Sequence, residues 1–218
     1  MADSNMQESR LQRRKARTRT ALIRAARSFI AEGRVNAPVL EITQAADVGM
    51  GSFYNHFDSK EQLFRAAVDD AFEAHGALLD ELTSDLDDPA EVFARSFRLT
   101  GRLHRIQPEF SRVLLADGSA LITSQHGLAP RALRDLEAAA AAGRFTIHDP
   151  QLALALVAGA TIGLAQLLHD QPDRDDAEST DRMAEDLLRT FGLPDDEARR
   201  ICRRPLPDIK MLGALPGK

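Results

Sequence analysis

A chain of 218 residues with 44% apolar side chains can bury one ordinary core and a smaller second one; with one Tyr, no Trp and long Ala/Leu-rich runs that never alternate, it predicts an all-α fold. The single cysteine, Cys202, excludes an intrachain disulfide and suits a reducing cytoplasm, and the opening MADSNMQESR lacks the apolar stretch of a secretory signal. The formal net charge of −5 excludes a uniformly basic surface, yet residues 1–65 carry 11 Lys/Arg against 7 Asp/Glu (net +4) and residues 66–218 carry 17 against 26 (net −9), so a basic head is set apart from an acidic body.

In chain order, residues 1–16 read as a flexible arm. Arg10, Arg13, Arg14, Lys15, Arg17 and Arg19 crowd into ten residues, an electrostatic footprint for nucleic acid or else a solvated tail. Residues 20–32 then place Leu22, Ala25, Ala26 and Phe29 on one helical stripe, with Gly33 as the stop. A second helix opens after Pro38, with Asn36 as a candidate cap, and Val39, Ile42, Ala45 and Ala46 form its apolar stripe. Asp47-Val48-Gly49 breaks that stripe with two residues that tolerate turn dihedrals. A third helix is predicted over Met50–His56. Phe53 and Phe57 share its inner face, and Gly51, Ser52, Tyr54, Asn55 and His56 its outer one. Two short helices joined by a tight turn, with a polar outer face on the second, are what seats a helix in the DNA major groove. Ser59-Lys60-Glu61-Gln62 is a capping box that opens the next helix at once, and its free amides and Lys60 suit a phosphate.

That helix continues to about Leu82 with Phe64, Val68, Phe72 and Leu79 on one side. Asp88-Pro89-Ala90-Glu91 starts another, which ends at about Gln107 before Pro108. Shorter helices are predicted over Glu109–Ala116 and Leu128–Ala142. Asp149-Pro150 opens a nearly all-apolar run to about residue 168, and a final amphipathic helix spans Ser179–Phe191. Residues 205–218, rich in Pro and Gly, read as a loose tail. Residues 151–168 are long enough for a membrane span, but Gln151, Thr161 and Gln166 interrupt them, acids flank them and alanine dilutes them, so a helix buried on most sides is expected and no membrane partner. Ala155, Gly159 and Gly163 form a small-residue stripe that allows close helix approach, within the chain or between copies.

The run Ile42-Thr43-Gln44-Ala45-Ala46-Asp47-Val48-Gly49-Met50-Gly51-Ser52-Phe53-Tyr54-Asn55-His56-Phe57-Asp58-Ser59-Lys60-Glu61-Gln62-Leu63 resembles the DNA-binding domain of the TetR family of bacterial transcriptional regulators. It departs from that pattern where the turn Gly is Asp47, where the capping Ser is Gly49 and where the Thr that opens the second helix is Pro38. The resemblance implies an N-terminal three-helix helix-turn-helix domain over residues 17–66 and a larger helical effector-binding and dimerisation domain over residues 67–204. It implies a cytoplasmic homodimer on double-stranded DNA with a pseudo-palindromic operator, most simply a repressor released by a small-molecule inducer. Met50, Ser52 and Asn55 are then candidates for the base edges, Tyr54, His56 and Lys60 for phosphates, and Arg14, Arg17 and Arg19 for the backbone or minor groove, with Gly51 also among the DNA-binding residues. A dimer seam would use Ala155, Gly159, Gly163, Met183 and Leu187. His104, Gln107, Arg112, His126, Thr161, Gln166 and His169 are the polar candidates to line a pocket for an apolar or amphipathic inducer. The alternative is a TetR-like protein whose body recruits a protein partner and senses no small molecule; a cavity of several hundred Å³ would favour the sensor.

Enzyme signatures fail. Gly49–Tyr54 is not a dinucleotide fingerprint, Asp173–Asp176 lacks the Gly and Glu of a calcium loop, and the six histidines have no metal spacing. Cys202 has no evident base beside it, so neither catalysis, a cofactor nor a metal is expected. The Arg199, Arg200, Arg203 and Arg204 cluster reads as helix C-terminal charge facing solvent.

Overall fold

The computed structural model describes residues 2–116, 118 and 120–207, the side chains of residues 2–9, 109 and 120 excepted. Among the described residues there are eleven helices and no strand. The chain divides into two compact units, Met1–Asp70 and Ala71–Lys218.

The first unit holds α1 (Ala2–Ala31), α2 (Val39–Ala45), α3 (Met50–Tyr54) and the first turns of α4 (Lys60–Thr83). α1 begins well before residue 20, so the basic residues expected on a flexible arm stand on a helix. Residues 2–31 contain no Gly or Pro and are rich in Ala and Arg, both good helix formers, and charge density had masked that propensity. α1 ends as expected at Gly33, whose φ of +72° suits a residue without Cβ. Leu22, Ala26, Ile42, Phe53 and Leu63 are fully buried and knit the three helices to α4. Thr43 is buried where Ala45 was expected to be; its hydroxyl donates to the Leu40 carbonyl at 2.9 Å. α2 is capped by Pro38 with no side-chain bond, so Asn36 does not cap it.

The second unit holds the rest of α4, then α5 (Pro89–Ile106), α6 (Pro108–Ala116), α7 (Ala120–Thr123), α8 (Leu128–Ala141), α9 (Pro150–Asp170), α10 (Asp176–Thr190) and α11 (Asp195–Cys202). Asp88, Asp149 and Asp175 each accept from first-turn amides, and Pro89 and Pro150 stand just after two of these caps. Phe93, Phe145 and Phe191 meet edge to face at the core's centre, with centroids 5.5 and 5.7 Å from Phe93. Asp181 of α10 takes both buried guanidiniums of α5, those of Arg98 and Arg102, at 2.8 Å each.

α9 is long and apolar enough to cross a membrane, but it packs against α5, α6, α8 and α10 through Leu154, Val157, Leu164 and Leu168. α11 turns Ala198, Ile201 and Cys202 into the core, while Arg199, Arg200 and Arg204 pair with Asp195, Glu197 and Glu91. Burial pushes the Cys202 thiol up to about 12, which makes it a poor nucleophile. Of the expected C-terminal tail, residues 208–218 lie outside the described residues.

Two histidines are buried in this unit. Burial, then the neighbouring His104, holds His75 down at about 3; burial, then Arg105, holds His104 down at about 4. The unfolded chain takes up protons on both near pH 6.5 while the folded chain resists, so stability is full above that pH and falls as pH drops toward 4. The expected slope is on the order of 1 kcal/mol per pH unit for each histidine. Glu73, held at about 2 foremost by its bond to Arg131, adds its own loss only below pH 4.5. Urea midpoints measured from pH 7.5 to 5 should therefore decline, and His75→Phe should flatten the decline; a flat wild-type curve would refute the assignment.

Candidate nucleic-acid interface and ligand pocket

The sequence of residues 39–60 builds one polar, convex face. Asp47 takes φ +53°, the left-handed turn that an Asp tolerates, and Gly49 starts α3 in extended backbone. Phe53 is fully buried and Phe57 nearly so, 6.0 Å apart, which turns the other side of α3 outward. Tyr54 is 61% exposed with its ring edge-on to Phe53, Met50 is 45% exposed, Gly51 and Asn55 are exposed, and Ser52, His56 and Lys60 are half-buried. A Cβ at Gly51 would meet nothing within 4 Å, so packing inside the chain does not require a glycine there. Ser59 caps α4 by accepting from the Gln62 amide at 3.2 Å; the Gln62 carbonyl oxygen reaches back to the Asp58 amide at 2.6 Å, one residue earlier than a standard capping box.

α1 brings Lys15 and Arg19 to this face. Arg14, Arg17 and Arg19 are exposed, and the Arg19 guanidinium lies 5.2 Å from the Phe57 ring centroid. Burial, then Lys15 and Arg19, holds His56 below its usual value, so at neutral pH it offers a neutral N–H. Lys15 thus belongs to the cluster; the sequence showed it only as one cation among many in the arm.

The second unit carries a cavity of about 70 Å³. Apolar side chains of α4, α5, α8 and α9 form most of its wall, among them Leu79, Phe93, Phe97, Leu128, Leu154 and Val157. A charged cluster is set into that wall. Arg131 Nε donates to Asp80 at 2.7 Å and its Nη2 to Glu73 at 2.8 Å, while Arg134 donates to Asp80 at 2.8 Å and to Asp135 at 2.9 Å. Burial opposes ionisation of Asp80, but the two arginines outweigh it and keep the carboxyl below its usual value; at Asp135 burial prevails and raises it. Two guanidiniums and two carboxylates, bordered by the hydroxyls of Ser96, Thr100 and Thr161, can hold a ring that bears oxygen.

Two family descriptions match the chain: bacterial regulatory proteins, tetR family, over residues 22–67, and tetracyclin repressor-like, C-terminal domain, over residues 88–204, which is more than half of it. The chain belongs to the TetR family. Among solved structures, it is similar to RolR in complex with the ligand resorcinol, at 39% identity and TM-score 0.71, covering 91% of this chain and 99% of that one. RolR without ligand matches at 38% identity and TM-score 0.74, covering 87% and 98%. TylP, a TetR regulator from Streptomyces fradiae, shares the fold at 22% identity and TM-score 0.60, covering 90% and 96%. No curated protein matches the chain.

As a TetR-family regulator, the chain distributes the residues singled out in its sequence unevenly. Of the helix-turn-helix candidates, Arg19 and His56 come together beside Phe57, and the others are exposed or half-buried. Of the inducer candidates, only Thr161 lines the main cavity. His104, Arg112 and His169 border a separate pocket at the ends of α5 and α9, and His104 is itself buried, with Nδ1 3.0 Å from the Ser111 hydroxyl. Gln107 is half-buried and does not line the main cavity; His126 and Gln166 are exposed, the latter bonded to Asp170 at 2.9 Å. The polar groups that do line the cavity, Asp80, Arg131, Arg134 and Asp135, were missed because charges on amphipathic helices read as solvated. Of the dimer candidates, Gly159 and Gly163 are exposed and Ala155 and Met183 half-buried, but Leu187 is spent in the chain's own core beside Ala184 and Leu188. The register of α10 turns that column inward.

Proposed function

We propose that the chain is a cytoplasmic, homodimeric TetR-family repressor that binds a pseudo-palindromic operator and is released from it by a small hydroxylated aromatic compound. The observation that carries the ligand half is the cavity: apolar, with an Asp/Arg cluster in its wall, in a chain 39% identical to a regulator solved with resorcinol. At about 70 Å³ the cavity is smaller than the several hundred Å³ that would by itself favour a sensor over a body that recruits a protein partner, so the sensor reading rests on the polar groups in its wall and on the likeness to the resorcinol-bound regulator. Homodimer formation is supported by the outer face of α9, where Leu152 is 69% and Leu156 44% exposed beside Gly159 and Gly163. α4 is the element that would carry the response, because its first turn holds Lys60 and its later turns hold Leu79 and Asp80. The inducer acts only if it binds the DNA-free conformation better.

On the DNA side, Met50, Gly51, Ser52 and Asn55 meet base edges and Tyr54, His56 and Lys60 hold phosphates, with Arg14, Arg17 and Arg19 along the backbone. Fragments selected from random duplex DNA should share one inverted repeat and should be released by resorcinol. With such a fragment, Lys60→Ala should weaken binding to all sequences and flatten its salt dependence by a slope of about 1, whereas Asn55→Ala should change sequence preference. Unaltered salt slope and selectivity in these two proteins would defeat the assignment.

A further inference from the structure

We propose that Thr100 and Thr161 select inducers bearing a second hydroxyl, and that His75, behind the cavity wall, is the positioning residue that fixes Thr100 for this task. The inference rests on the phenol reading above and goes beyond it to the number and kind of polar groups on the ring.

The argument is an accounting of hydrogens. A threonine hydroxyl has one to give. Thr161 gives its hydrogen to the Val157 carbonyl at 2.8 Å, and Thr100 gives its own to the Ser96 carbonyl at 2.9 Å. His75 Nε2 stands 2.9 Å from the Thr100 oxygen, and since that hydrogen is already committed, Nε2 must be the donor. On the assignment that Thr100 gives its hydrogen to Ser96, the imidazole is the Nε2–H tautomer and its Nδ1 is a bare acceptor. That Nδ1 is buried with no partner. Burial keeps the ring neutral at physiological pH.

An orphaned acceptor in a fully buried side chain lowers stability. His75 packs on the Phe110 ring with centroids 4.8 Å apart, so an aromatic hydrocarbon would fill this place without the orphan. What the imidazole adds is the bond to Thr100. That bond and the one to Ser96 leave Thr100 only lone-pair capacity for the cavity. Thr161 is in the same condition, and among the described lining hydroxyls only Ser96 keeps its hydrogen uncommitted.

The two threonines thus accept from an O–H and have nothing to give to an ether, a fluorine or a carboxylate. The Asp80, Arg131, Arg134 and Asp135 cluster, which both donates and accepts, serves one ring hydroxyl; the threonines serve another. A ring that presents a second polar atom without a hydrogen leaves desolvated acceptors facing it.

The test is calorimetric titration of the full chain with resorcinol and with 3-fluorophenol, which matches it in shape and lacks the second donor. Wild-type protein should bind resorcinol at least about 10-fold more tightly. Thr100→Val and His75→Phe should each bring that ratio close to 1, whereas His75→Gln, whose amide can donate to Thr100, should keep most of it. The ratio is the readout, because a merely structural role would weaken both ligands alike. A ratio unchanged in both Thr100→Val and His75→Phe overturns the inference. Equal binding of the two compounds by wild-type protein overturns it and leaves the phenol pocket standing; binding of neither overturns both.

Discussion

Arg131→Ala is expected to abolish release from DNA by resorcinol and to lower the unfolding free energy by about 2 kcal/mol. The Arg131 side chain crosses from α8 to α4. Its Nε donates to Asp80 at 2.7 Å, its Nη2 to Glu73 at 2.8 Å, and its Nη1 both to the Gly127 carbonyl at 2.9 Å and to Glu73 at 3.0 Å. Gly76 makes the crossing close, since a Cβ there would lie 2.7 Å from Arg131 Cδ. Alanine would leave Asp80 with Arg134 alone and Glu73 with the Gly127 amide. Glu73 and Asp80 are 51% and 37% exposed, so water replaces part of what is lost and the cost stays below that of breaking a fully buried pair. The ligand loses a donor from the cavity wall and the fastening of α8 to α4 at once. Urea titration and resorcinol calorimetry on the same preparation measure both; wild-type affinity in the variant would remove Arg131 from the site.

Phe53→Ala should be still more damaging to the DNA-binding unit, by about 3–5 kcal/mol, with loss of operator binding. Phe53 is fully buried, and it braces Tyr54 at 5.1 Å and Phe57 at 6.0 Å between ring centroids. α3 spans only Met50–Tyr54, too short to be helical by itself, so its shape depends on that one anchor. The small core of residues 22–63 cannot close over the void. Hydrogen exchange should show protection lost across α2 and α3, with the helices of the second unit unaffected. Protected α3 amides in the variant would show that Phe53 is not the anchor.

How much of this was legible beforehand differs between the two units for one reason. The helix-turn-helix face is made by neighbours in sequence. Its turn follows from Asp47 and Gly49, its inner side from Phe53 and Phe57 four residues apart, and its next helix from the Ser59 cap, so local rules reach all of it. In the second unit α5 and α9 were equally readable from their Asp-Pro starts, whereas α7 and α11 were not predicted. The extension of α1 was not, because a run of arginines suits a solvated arm and a helix equally.

From the chain alone came the all-α class, the helix-turn-helix, most helix boundaries and the division of charge between a basic head and an acidic body. Only the tertiary structure decided that Asp80 meets Arg131 and Arg134 from 51 and 54 residues away, that His75 stands behind Thr100, and that Leu187 turns inward. A charge on a helix is a solvated residue until its partner arrives from another helix. Which helices meet, and in what rotation, is set by the packing of the whole core rather than by any window of sequence.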